Sequence, residues 1–270
     1  MSAVYCETTL NYTRGEDPEP LAVSIRNGRE ALPELDFADC CFTLLKHQSK
    51  VTDWQDADQL SKFNEAETAA LAQQLSGCDI TIPYTSLVRS PSAAETHTDY
   101  APIQFVHTDY TDDFLTMVKD PDHTYSNFLG PLLQAHGLSY DDVKQASRVA
   151  MMQFWRNTGD PRPDYPLAVC DASSVSEEQL GRYRVAEYAG EALDFETYFL
   201  NAEVSAEKNR WYAFPGMATD ELIAFRAYDS DYVEQHKPFW TFHTAFKDPL
   251  AGEQAPQRSS VENRVLCLWR

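Results

Sequence analysis

The rhythm of apolar and polar positions changes about half-way along this chain. In the first half, apolar residues recur at helical spacing. The clearest helix is expected over Glu65–Ser76, with Asn64 as N-cap, Glu67 completing a capping box and Gly77 closing it. Further helices are expected over 122–133 and 139–151, separated by the stop signal His136-Gly137. In the second half, short alternating or apolar runs between turn residues predict strands over 167–170, 195–200, 210–214, 222–228, 239–246 and 261–269. Helices first, then many strands without intervening helices, indicate a mainly β fold with helical buttresses, closed as a sandwich or barrel. A parallel α/β sheet is disfavoured, and no GxGxxG or P-loop offers a phosphate cradle for a nucleotide. No linker or domain-sized repeat divides the chain. We read 1–270 as a single domain, with 1–95 a helical and extended N-terminal buttress and 96–270 the β core with inserted helices.

Composition narrows the partners. Apolar residues make up 43% of the chain, enough for a sizeable core, so disorder is excluded. Acidic residues outnumber basic ones 42 to 22, a formal charge of -20, which leaves no basic footprint for nucleic acid or an anionic membrane. The start, Met-Ser-Ala-Val-Tyr-Cys-Glu, lacks a basic segment and an apolar core, so no signal peptide is expected; nor does any run approach a membrane span. Cys6, Cys40, Cys41, Cys78, Cys170 and Cys267 form no CxxC pair and read as reduced thiols of a cytoplasmic protein.

The candidate chemistry lies in three places. On an extended run, Ile103, Phe105, His107 and Asp109 share one face, so an imidazole and a carboxylate can reach one metal ion. Far downstream, Thr241-Phe242-His243-Thr244-Ala245 supplies a second strand-borne histidine. Two histidines and one carboxylate form the facial triad of non-haem iron, leaving positions open for co-substrate and oxygen. Arg258 and Ser260 then lie two apart, a guanidinium and a hydroxyl suited to gripping a carboxylate. A duplication complicates the choice: His97-Thr98-Asp99-Tyr100 precedes His107-Thr108-Asp109-Tyr110 with the same spacing. The first copy follows a loop-like run, 90–96, that contains Pro91; only the second follows an apolar alternation.

The order of these pieces resembles the iron(II)- and 2-oxoglutarate-dependent oxygenases, and more narrowly the CmcJ/AsaB-type (CmcJ/NvfI) family from specialised metabolism. The matching text includes Phe42-Thr43-Leu44-Leu45-Lys46-His47, Val106-His107-Thr108-Asp109-Tyr110, Trp155-Arg156 and Pro166-Leu167-Ala168-Val169-Cys170-Asp171. It continues with Arg210-Trp211-Tyr212, Phe242-His243-Thr244 and Arg258-Ser259-Ser260-Val261-Glu262-Asn263-Arg264. The resemblance implies a double-stranded β-helix (jelly-roll, cupin-like) core, with His107, Asp109 and His243 as catalytic metal ligands. It implies that Arg258, helped by Ser260, binds the remote carboxylate of 2-oxoglutarate. Tyr212 and Arg264 match family positions and are carried as further cofactor-binding candidates. The expected cofactors are iron(II), 2-oxoglutarate and molecular oxygen. The expected reaction is hydroxylation, desaturation or oxidative ring closure at an unactivated C–H bond of a small specialised metabolite or amino-acid-derived substrate. A zinc hydrolase using the same three ligands, or a non-catalytic cupin-like metal-binding protein, is the alternative; the zinc hydrolase would have no use for Arg258 and Ser260.

Overall fold

A computed structural model of the chain describes residues 3–15, 17–204 and 206–270. The strands are β1 (Val4–Arg14), β2 (Asp17–Asn27), β3 (Phe42–Lys46), β4 (Ile80–Pro83), β5 (Leu87–Arg89), β6 (Arg148–Asn157) and β7 (Leu167–Cys170). They continue with β8 (Leu180–Tyr188), β9 (Glu191–Leu200), β10 (Trp211–Ala213), β11 (Glu221–Asp229), β12 (His243–Ala245) and β13 (Ser260–Trp269). One sheet runs β1-β2-β10-β7-β12; a second runs β3-β11-β6-β13-β4, with β5 also paired to β13. Strands β8 and β9 form a separate two-stranded hairpin. Trp155, Ile223 and Phe225 of the second sheet pack against Leu167, Val169 and Tyr212 of the first, so the core lies between the two sheets. This is the jelly-roll arrangement expected from the sequence.

Several local expectations need correction. The helix Glu65–Ser76 ends at Gly77, whose φ of +71° suits the residue without a Cβ. Its start differs: the helix continues upstream through 57–64 and is capped by Asp56. Asn64 therefore makes no cap, and its amide instead donates to Ser86 Oγ, while Glu67 accepts from Ser49 Oγ. The run over 139–151 divides into a short helix, Tyr140–Gln145, and strand β6. From Val149 to Asn157 every β6 residue is buried, so the run shows no alternation that would mark a strand. Residues 91–96, expected as loop, form a helix with Ser90 as N-cap. The segment before residue 96 contributes to both sheets: β1 and β2 extend the first, and β3, β4 and β5 belong to the second. The expected strand over 239–246 shrinks to the three residues of β12. All six cysteines are free and buried. No helix among the described residues is long and apolar enough to cross a membrane.

Candidate metal centre and its two cavities

His107 sits on an extended segment bridged residue by residue to β1 and β12 of the first sheet and to β9 of the hairpin, rather than on a continuous strand. Its amide donates to His243 O at 3.3 Å, and the His243 amide donates to His107 O at 2.9 Å. This reciprocal pair sets the two imidazoles side by side, with ring centroids 4.5 Å apart. Asp109, two residues on, comes to the same face, and one of its oxygens, Oδ1, lies 4.0 Å from His107 Nε2 and 3.9 Å from His243 Nε2. Ligand atoms from all three residues lie within 4.8 Å of one another, and no other such cluster of three or more occurs among the described residues.

The donor set fits a divalent transition metal. His107 Nδ1 lies 2.7 Å from Phe105 O, and His243 Nδ1 lies 3.0 Å from Thr241 O. A carbonyl only accepts, so each Nδ1 carries the proton and each Nε2 presents its lone pair towards Asp109. Burial, then the neighbouring His243, pushes the His107 imidazole down to about 4, keeping it neutral and able to ligate at ordinary pH. For Asp109, burial favours the protonated acid, but Arg264 and then the two imidazoles outweigh it and hold the carboxyl below the usual carboxylate range. Arg264 Nε donates to Asp109 Oδ2 at 3.1 Å, leaving Oδ1 for the histidine side.

Period-two spacing brings the remaining wall together. Residues 107 and 109, 153 and 155, 243 and 245, and 262 and 264 all line one inner pocket as i, i+2 pairs. Arg258, just before β13, closes it. This guanidinium is 4% exposed; its Nη1 donates to Tyr165 O at 3.2 Å, and it lies 5.6 Å from the Trp155 ring centroid. Its Nε has no hydrogen-bond partner, and among the described residues Arg258 forms no ion pair. Burial, then nearby Arg89, pushes its pKa down to about 9, still cationic at neutral pH. The Ser260 hydroxyl is also buried without a partner. Beside them Glu262 is spent internally, accepting from Arg264 at 3.1 Å and from Arg89 at 3.4 Å.

On its other side the centre opens into a cavity of about 410 Å³, walled by Tyr84, Tyr110, Tyr125, Phe128, Tyr188 and Phe195 among others. His107, Asp109, Arg264 and Arg89 line both cavities. The structure thus gathers His107, Asp109, His243, Arg258 and Arg264 around one centre. It does not bring Tyr212 there: β10 places that ring against Phe42, with centroids 5.5 Å apart, beside a different cleft that contains Asp171 and Arg210. Trp155 lines the inner pocket, whereas the next residue, Arg156, alternates away and donates to His47 O. Sequence reasoning missed Gln153, Glu262, Arg89 and the aromatic wall. A lone polar residue inside Met151-Met152-Gln153-Phe154-Trp155 was one available signal. The step of two from Ser260 through Glu262 to Arg264 was another.

The family model described as "YDMC: Oxidoreductase/YMDC permease-like domain" matches residues 4–268. The chain is 26% identical over 204 residues to "Fe(II)/2-oxoglutarate-dependent dioxygenase nvfI" of Aspergillus novofumigatus, covering 74% of this chain and 64% of that protein. It is 28% identical over 247 residues to "Alpha-ketoglutarate-dependent dioxygenase phiK" of a fungal species, covering 84% and 77%. The chain belongs to the CmcJ/NvfI-type family. Within this family, the solved structure titled "iron and alpha-ketoglutarate-dependent endoperoxidase NvfI" superposes with a TM-score of 0.77 at 20% identity, over 98% of both chains. At that identity the likeness speaks for the CmcJ/NvfI-type fold, the double-stranded β-helix.

Proposed function

We propose that this protein is an iron(II)- and 2-oxoglutarate-dependent dioxygenase that oxidises an unactivated C–H bond of a small specialised metabolite. In this reading His107, Asp109 and His243 hold the iron, and Arg258, with Ser260, binds the remote carboxylate of 2-oxoglutarate. Arg264 orients Asp109 instead of touching the co-substrate, and Tyr212 packs in the core. When bound, iron and 2-oxoglutarate would supply an oxidant, made from oxygen, strong enough to take hydrogen from carbon. The chain's own residues do the rest. The two Nδ1–H donors fix ligand orientation, Arg264 keeps Asp109 ionised and turned, and the inner pocket screens the co-substrate from water.

The observation that carries this reading is Arg258: a buried cation without an anionic partner, facing the pocket that holds the three ligands. Leaving a charge buried and unpaired is costly, so the site is built for an incoming carboxylate. In this conformation the inner pocket encloses only about 20 Å³, so its walls must move to admit a five-carbon diacid. A zinc hydrolase is less well served. The pocket's second carboxylate, Glu262, is tied to Arg89 and Arg264 and is not free to act as a base. The free buried thiols and the charge of -20 support a cytoplasmic enzyme, working as one domain, with neither nucleic acid nor membrane as partner.

The test is an anaerobic titration of iron(II)-loaded protein with 2-oxoglutarate, following the weak visible band that the bound oxo-acid gives. Wild type should show a saturable band. Arg258→Ala should weaken co-substrate binding by roughly 30-fold to several thousand-fold, the cost of about 2–5 kcal/mol expected for breaking a desolvated charge pair. Arg258→Lys, which keeps charge but loses the planar fork, should fall between. An unchanged titration in Arg258→Ala would remove the main support for the assignment.

A further inference from the structure

We propose that the 410 Å³ cavity is the substrate chamber and that it selects a neutral, largely apolar molecule, not a free amino acid or another charged metabolite. This rests on the oxygenase reading for the word substrate, but its physical basis is independent of the metal. Both arginines that line the chamber are already satisfied within the protein, and Asp109 gives one oxygen to Arg264 and turns the other to the two histidines. Arg264 is held by Asp109 and Glu262. Arg89 is held by Glu262, by the carbonyls of Asp99 and Ala101, and by the Tyr188 hydroxyl at 2.9 Å. A ligand carboxylate would therefore lose its hydration and meet no free arginine, and an ammonium would find only Asp109 Oδ1, which the iron occupies in the oxygenase reading, whereas apolar carbon meets aromatic walls. This narrows the expected substrates by removing those with free α-amino and α-carboxyl groups.

One wall of the chamber is the β8–β9 hairpin, which contributes Val185, Tyr188, Leu193 and Phe195. The hairpin tip is pinned from below: Asp99 Oδ2 accepts the Ala189 amide at 2.8 Å, and Arg89 holds Tyr188. Ala189 itself has φ +53°, a left-handed position at which the turn reverses. The pins both close the wall and use up the charges that could otherwise read an ionic ligand.

The test uses the full chain, with and without iron(II), kept anaerobic. The neutral dye Nile red reports occupancy by fluorescence, and 2-methoxynaphthalene, 2-naphthoate and 2-naphthylmethylammonium compete for it. The neutral compound should compete about tenfold or more better than 2-naphthoate without iron(II), and than the ammonium with iron(II) bound. Leu193→Asp, which places a carboxylate on the chamber wall, should weaken the neutral compound at least fivefold and move preference towards the ammonium. Val4→Asp, the same change at an exposed strand position outside the chamber, should do neither. Equal or better competition by 2-naphthoate on wild type without iron(II) would overturn the proposal, because it would mean that Arg89 or Arg264 is free to bind anions. A neutral preference that holds while the 2-oxoglutarate titration fails would sink the oxygenase reading alone. The reverse result would sink this inference alone.

Discussion

His97-Thr98-Asp99-Tyr100 and His107-Thr108-Asp109-Tyr110 share four residue types in the same order, yet the fold uses them differently. In the first copy the chain turns: Thr98–Tyr100 is a 3-10 helix, and His97 Nδ1 accepts the Asp99 amide at 3.2 Å. Its side chains are more than a third exposed, and the Asp99 carboxylate goes to the Ala189 amide. In the second copy the backbone is extended and bridged to His243, and the His107 and Asp109 side chains are 13% and 10% exposed. The difference comes from what precedes each copy. Ser90-Pro91 starts a helix that delivers the first copy to a surface turn; the apolar run from Ile103 to Val106 carries the second into the core. Only the second His-x-Asp meets a third candidate ligand, His243, and a cation on its carboxylate, Arg264.

Four experiments would break or sharpen this contrast. The largest effect should come from His107→Ala, Asp109→Ala or His243→Ala, each expected to weaken iron(II) binding by more than about 100-fold, beyond what losing a supporting group costs. Equilibrium dialysis against iron(II) would measure it, with circular dichroism confirming that the fold persists. Should His97→Ala abolish binding while His107→Ala retains it, the roles of the two copies are reversed. Next, Arg264→Ala removes the guanidinium that turns Asp109, and iron(II) affinity should fall by about 10- to 100-fold. Among the described residues no arginine or lysine pairs with the first copy's carboxylate, so Asp99→Ala should leave iron binding intact. Asp99→Ala should instead cost stability, about 1 kcal/mol for one charge-assisted bond at a partly exposed site, lowering Tm by roughly 2–4 °C. The smallest effect belongs to His97→Ala, within about 0.5 kcal/mol in calorimetry.

The sequence made much of this site readable because its chemistry is carried at strand spacing. His107 with Asp109, and Arg258 with Ser260, lie two apart and so announce one shared face. The last strand was visible over 261–269 for the same reason. What was hidden followed from burial on both faces. Strand β6 lacks polar alternation, so its apolar run looked like the continuation of the helix before it, and Gln153 was hidden with it. Strand β1 turns only Cys6, Leu10, Tyr12 and Thr13 fully inward among polar neighbours, too sparse a signal to mark a strand pairing at the sheet edge. The chamber was unreadable for another reason: its walls come from segments as far apart as Tyr84 and Arg264, which only the closed fold assembles.

Strand β13 pairs with β6 without interruption from Ser260 opposite Asn157 to Trp269 opposite Arg148. Gaining or losing a single residue within it would exchange Ser260, Glu262 and Arg264 for their alternating neighbours Val261, Asn263 and Val265. The anchor of Asp109 and the partner of Arg89 would vanish in the same step, with no partly working intermediate. Descent within this lineage should therefore record point substitutions along β13 and length changes elsewhere, in connections such as 247–257. Directed evolution towards a different oxo-acid faces the same restriction: libraries that vary loop length before Arg258 can be sampled freely, whereas any frame change inside the strand erases both the grip on Asp109 and the wall beside it.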